Sequence, residues 1–293
     1  MNTQQSGPQS TGTPTTVSSP SLPPFPGFNV LLMGAIGTGK THSILSLPQL
    51  GVETFVIFTE PSMGIVQKAT CDEGLHYHYI EAARPTWDEL IFSANQINQS
   101  FDFEALAKKK DWKKSGYQQF LDFLHSCNNF KCDRCGQEFG SIDDWGNERA
   151  FVVDSLSGLS IMAMDLVVGS KPVKALPDWG VAMDNLERVI TRLCMSLSCH
   201  LVLTSHLERE KDEVTGGINL MASTLGTKLS PKLPRYFDEV IMAKHDGVDY
   251  SWANQVRQAE VKHRYLPGSE KLTPDFTQLL HAWKAAERTA TNS

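Results

Sequence analysis

The chain has 293 residues, a formal net charge of −6 and a hydrophobic fraction of 41%, values that suit one large or two small globular domains. A mildly acidic balance excludes bulk attraction to nucleic acid, so any such contact must come from local basic patches. No stretch is long and apolar enough to cross a membrane, and no basic start with an apolar core marks a leader, so a cytoplasmic setting is expected.

Residues 1–26 are rich in Ser, Thr, Pro, Gln and Gly and carry no charge. Such a segment buries too little apolar area to offset its ordering entropy, which predicts a disordered tail. Phe25 within it is either passive or a plug for a neighbouring subunit. The pattern then alternates, with a strand over 28–34, a helix over 40–48, and strands over 54–60 and 76–82. Helices are expected over 87–98 and 103–125, and a strand over 150–155. Residues 182–198 place Leu186, Val189, Ile190, Leu193 and Leu197 at helical spacing. Strands follow over 200–206 and 238–244, then a hairpin around 249–264 and a frayed tail over 286–293. Short apolar strands alternating with helices predict an α/β fold with a mainly parallel sheet covered on both faces. One domain over 27–285 is expected, with residues 100–148 as an inserted module.

The chemistry starts at "GAIGTGKT", residues 34–41, which matches G-x-x-x-x-G-K-[ST] between a strand and a helix. Backbone amides of Gly34, Ala35, Ile36, Gly37, Thr38 and Gly39 would wrap the phosphates of ATP. Lys40 would reach the β- and γ-phosphates, Thr41 would offer its hydroxyl to Mg²⁺, and His42 follows at the edge of the loop. Asp154 ends the apolar strand "AFVVD"; it either caps the following helix or supplies the carboxylate that orders the metal's water shell. Glu60, at the end of "FVIFTE", is a carboxylate at the tip of a buried strand; it is either a turn residue before Pro61 or a functional base.

Six cysteines in a reducing compartment point to metal before disulfide. Within "HSCNNFKCDRCGQEFG", residues 125–140, Cys132 and Cys135 form a C-x-x-C followed by Gly136, the spacing of a zinc knuckle. Cys127 is close enough for a third thiolate and His125 is the nearest fourth ligand for Zn²⁺, while Cys71, His76, His78 and Asp143 stay open as ligands that reach back. Cys194 and Cys199 read as core residues.

The segments "FVVDSLSGLS", "DWGVAMDNLERVITRLCMSLSCHLVLTSHLER" and "FDEVIMA" resemble, in that order, the RecA-family ATPase core, over about residues 28–266. The resemblance is to the short RecA-core proteins of bacteriophages that act in recombination as single-strand annealing proteins, a group often called AAA-family ATPases. It implies that Glu60 is the general base that activates water, because in that family the glutamate follows the strand after the P-loop helix. Ser155, and not Glu, follows Asp154, which sets the pattern apart from AAA+ proteins. "VKHRY" resembles a Lys-x-Arg pair that KaiC and RadA project at a neighbour's γ-phosphate, which would make Lys262 and Arg264 trans-acting fingers. His206, with Ser205 beside it, falls at the family's γ-phosphate sensor.

The same resemblance implies two DNA-facing loops. One spans about 168–179 with Lys171 and Lys174; the other spans about 209–235 with Lys211, Lys228, Lys232 and Arg235, offset by Glu208, Glu210, Asp212 and Glu213. The basic run "KKKDWKK" at 108–114 is either a further contact or a solvated helix face. The implied partners are single-stranded DNA, further copies in a ring or filament, and a single-strand-binding protein. A hexameric helicase-type motor and a KaiC-like regulatory switch without DNA binding stay open beside the recombination role.

Overall fold

The computed structural model describes residues 25–61, 63–109, 112–211, 216–226 and 228–291. Most of the expected tail at 1–26 lies outside the described residues, as do Ser62, Lys110, Asp111, Asp212, Glu213 and residues 292–293. Among the described residues, no helix is long and apolar enough to cross a membrane.

In chain order the elements are β1 (Asn29–Gly34), α1 (Lys40–Ser43), α2 (Ser46–Gln49), β2 (Glu53–Phe58), β3 (Leu75–Tyr79), α3 (Trp87–Asn98), α4 (Phe103–Lys108), α5 (Gln119–Asn128), β4 (Arg149–Asp154), α6 (Leu156–Val168), α7 (Leu176–Ser196), β5 (His200–Lys211), β6 (Ile218–Ala222), β7 (Glu239–His245), β8 (Tyr250–Ala253) and α8 (Thr277–Thr291). The sheet order is β3-β2-β4-β5-β1-β7-β8. All neighbours from β3 to β7 run parallel, and β8 returns antiparallel to β7. This is the expected α/β class with a mainly parallel sheet.

Parallel strands need cover on both faces, and their sequences supply it. Alternate residues of β1, Leu31 and Met33, enter one apolar layer with α6 and α7, while Val30 and Leu32 enter the other with α2 and α8. Phe55 and Ile57 of β2, and Phe151 and Val153 of β4, join the first layer; Val56, Phe58, Ala150 and Val152 join the second.

Several expected boundaries shift. The helix expected over 40–48 is two short turns, α1 and α2. That expected over 103–125 divides into α4 and α5, with Gly116 at φ 90° between them. The long amphipathic helix starts at Leu176, which takes the end of the loop expected at 168–179. Among its described residues the second expected loop, 209–235, holds regular structure: β5 runs past the sheet to Lys211, pairs with β6 as an antiparallel ribbon, and a 3₁₀ helix covers Ser230–Arg235. The C-terminal hairpin is β7–β8 and not 249–264. The tail expected to fray from 286 is helical in α8 to Thr291, and Phe25 packs on this chain's own Trp283, with ring centroids 5.8 Å apart.

Candidate functional site

β1 delivers Gly34 to the centre of the sheet edge, and the loop that follows turns on Gly37 (φ 78°) and Gly39 (φ 82°), a left-handed backbone that favours glycine. Gly34 itself has no room for a side chain, since a Cβ there would lie 2.6 Å from Thr38 Oγ1 and 2.8 Å from Ala243 O. Lys40 is only 7% exposed, and its Nζ donates to Gly34 O at 2.8 Å and Ala35 O at 2.9 Å. Burial lowers its pKa, and the carboxylates of Asp154 and Glu60 pull against that shift. Ile36, Gly37, Thr38, Gly39, Thr41 and His42 line a cleft of about 780 Å³ with Glu60, Asp154 and His206.

Sheet register explains the convergence. Phe58 pairs with Asp154 and Gly34 pairs with His206, so β2, β4, β1 and β5 end side by side. Asp154 accepts from Thr41 Oγ1 at 2.7 Å through Oδ2 and from Thr204 Oγ1 through Oδ1. Burial at 4% exposure pushes its carboxyl up from the ordinary range, against those two hydroxyls. A hydroxyl held on a buried carboxylate beside a phosphate loop is a donor set that fits Mg²⁺, with Thr41 as ligand and Asp154 ordering its water shell.

Glu60 is no bare turn residue. Its Oε1 accepts from Ser155 Oγ at 2.9 Å, and its Oε2 accepts from His206 Nε2 at 3.0 Å. The carboxylate only accepts, so Nε2 carries the proton. Ser155 also caps α6 by accepting from Gly158 N at 3.1 Å, and Thr59 Oγ1 donates to Ser155 O at 2.7 Å, tying the ends of β2 and β4 together. His206 N in turn donates to Ser157 Oγ at 3.0 Å. Thr59, Ser157 and Thr204 carry no motif of their own in the sequence; the Thr-Ser pair at 204–205 inside the buried run "HLVLTSH" is the available signal.

Lys262 and Arg264 lie elsewhere. Lys262 bridges to Val240 near the start of β7, the end of the sheet opposite the phosphate loop. Its Nζ donates to Phe237 O at 2.6 Å and Pro234 O at 3.2 Å. Arg264 pairs with Asp238 at 2.6 Å, and its side chain is 65% exposed. Neither lines this chain's own cleft. Of the residues expected to face DNA, Lys171 pairs with Asp178, while Lys232 and Arg235 pair with Glu187.

The metal ligand set differs from the expected one. Cys71, His76, Cys132 and Cys135 each place a ligand atom within 4.8 Å of the others. Cys71 Sγ lies 3.8 Å from Cys132 Sγ, and Cys135 Sγ lies 3.8 Å from His76 Nδ1. Cys127 and His125 are not part of the group: α5 carries Cys127 among Leu124, Ile142 and Leu193, and His125 into a polar groove with His78 and Asp122. The C-x-x-C itself forms as expected, with Gly136 at φ 72° and its amide donating to Cys132 O at 2.9 Å. Two thiols, a third thiol and an imidazole at this spacing suit tetrahedral Zn²⁺.

The surroundings of the cluster also fit. Nε2 of His76 faces Glu53 at 3.4 Å, and Glu53 takes Arg149 at 2.8 Å, the carboxylate backing that orients a metal-binding imidazole. Burial and the neighbouring thiols push the Cys71 thiol up to about 12. Burial acts the same way on Cys132, but backbone amides outweigh it and hold that thiol below its ordinary value.

The model of a family described as AAA domain matches residues 27–271. The chain belongs to that family. With the P-loop geometry, this makes it a nucleotide-hydrolysing P-loop ATPase. No curated protein matches the sequence. Among solved structures, the flagellar accessory protein FlaH from Methanocaldococcus jannaschii is similar, with 11% identity, 84% of this chain and 83% of that chain covered, and a TM-score of 0.33.

Proposed function

We propose that this AAA-domain chain is a Mg²⁺-dependent ATPase that assembles into a ring or filament and works on single-stranded DNA in recombination, annealing, repair or replication. One observation carries the reading: the carboxylate at the cleft is bonded to His206, the residue from which the β5–β6 ribbon leaves the sheet. Nucleotide state and ribbon position then share one hydrogen bond.

In the catalytic step Glu60 takes a proton from a water aligned with the γ-phosphorus, and the P–O bond to ADP breaks as the new one forms. Lys40 leaves its carbonyl partners for the phosphate oxygens and offsets the charge that builds there. Mg²⁺, when bound at Thr41 and Asp154, supplies further charge neutralisation. Lys262 and Arg264 sit too far from their own cleft to serve it; as fingers they would act on a neighbour, after Arg264 leaves Asp238. Lys174, Lys211 and Lys228, all exposed, are the lysines proposed to meet the phosphate backbone, with affinity falling as salt rises. Zn²⁺ has a structural role in this reading.

A second reading has its own observation. The ribbon sets Glu208 and Glu210 on one face and Arg209 and Lys211 on the other, and the acidic face suits a protein partner of a nucleotide-dependent switch. Hydrolysis measured with and without single-stranded DNA separates the two. Strong stimulation, abolished in Glu60→Gln and Lys40→Ala, supports the DNA reading; hydrolysis indifferent to DNA supports the switch.

A further inference from the structure

The order of the strands decides where a nucleoside must go. Glu60, Asp154 and His206 all lie on the β2–β4–β5 side of β1, so the γ-phosphate end of a nucleotide belongs there. The other end of the molecule must leave the phosphate loop toward β7 and β8. There the cleft is lined by Tyr250 and Pro274.

The sequence builds an aromatic surface at that point. β7 runs beside β1 until Ala243 faces Gly34, then continues through Lys244 and His245 alongside the loop. A tight turn follows, with Gly247 at φ 98° and Asp246 Oδ1 accepting from the amides of Val248 at 3.0 Å and Asp249 at 2.8 Å. That turn sets His245 directly opposite Tyr250. Their rings lie face to face, with centroids 4.2 Å apart and planes 7° from parallel. Tyr250 remains 47% exposed, and a Cβ on Gly39 would lie 3.2 Å from its Cδ1.

We propose that Tyr250, backed by His245, is the stacking platform for the base of a nucleoside triphosphate. The proposal rests on the reading that this cleft holds a nucleotide, and it goes on to name how the base is held. Aromatic stacking uses the π-face of the base and needs little from its edges, while His245 holds the tyrosine ring in place before the ligand arrives.

The test is calorimetric binding of ATP and of inorganic tripolyphosphate to wild type, Tyr250→Ala and Tyr250→Phe. Stacking of one base is worth about 1–3 kcal/mol, so Tyr250→Ala should weaken ATP by about 5- to 150-fold. Tripolyphosphate, which has no base, should bind wild type and Tyr250→Ala alike, and Tyr250→Phe should bind ATP as wild type does. ATP affinity unchanged in Tyr250→Ala overturns the proposal. So does an equal loss of ATP and tripolyphosphate, which would mean damage to the phosphate loop. If wild type binds neither ligand, the nucleotide reading of the cleft fails and the platform falls with it.

Discussion

The nucleotide cleft and the cysteine cluster are two sites built by opposite means. In the cleft, Gly34, Glu60, Asp154 and His206 come together because parallel strands in register end together. The apolar layers on both faces hold that register, so the chemistry sits on structure that stands without any ligand. In the cluster, a turn residue (Cys71), an edge-strand residue (His76) and a hairpin (Cys132, Cys135) meet with little regular structure between them. The hairpin has one bridge of its own, Lys131 to Glu138. A site at the rim of a sheet gains fixed geometry from the fold, whereas a site on an edge hairpin gives geometry to the fold.

The largest effects should fall on chemistry alone. Glu60→Gln keeps the shape of the side chain and its bond to Ser155 but cannot take a proton, so hydrolysis should fall by about 10²–10⁴-fold. Nucleotide affinity and melting temperature should hardly change. A drop in melting temperature of many degrees would show that the cleft, too, depends on its own side chains for its fold.

Metal removal should give the converse. The protein should carry about one zinc per chain, and Cys71→Ser or Cys132→Ser should lose it. Cys127→Ser should retain it, since that thiol packs among Leu124, Ile142 and Leu193. Chelation should lower the melting temperature by on the order of 5–10 °C, while hydrolysis below that temperature stays within about twofold. β2 offers a direct way for this contrast to break, because Glu53 at its start backs His76 and Glu60 follows its end. If chelation stops hydrolysis in the folded protein, the two sites are coupled along that strand.

The same contrast explains what could be read from the sequence. The phosphate loop is contiguous, and strand ends marked by a polar residue after an apolar run expose Asp154 and Glu60. Parallel strands buried on both faces are equally plain in "FNVLLMG" and "AFVVD". The cluster was half legible. The C-x-x-C is a local pattern, but its partners are fixed by the docking of the hairpin on β3, a contact between residues about 60 positions apart. Nearness in sequence favoured Cys127 and His125, and the helical turn of α5 directs both elsewhere. The ribbon was missed for another reason. Its charged strand "LEREK" has no apolar face to advertise it, and only pairing with "INLMA" makes it a strand.

The smallest effect tests how much of the docking is protein and how much is metal. Asp133, between the two hairpin cysteines, accepts from Tyr79 N at 2.8 Å, and its other oxygen lies 2.8 Å from His78 Nδ1. Its own amide donates to Tyr77 O at 2.8 Å, a bond that does not depend on the side chain. Asp133→Ala should therefore remove two partly exposed side-chain bonds and cost about 1 kcal/mol, or roughly 2–4 °C. Zinc content should stay at that of wild type, because all four ligands remain. Zinc lost in Asp133→Ala would mean that the hairpin is docked by its hydrogen bonds first and that the metal only fills a site already made. The cluster would then be built as the cleft is, by the fold before the ligand.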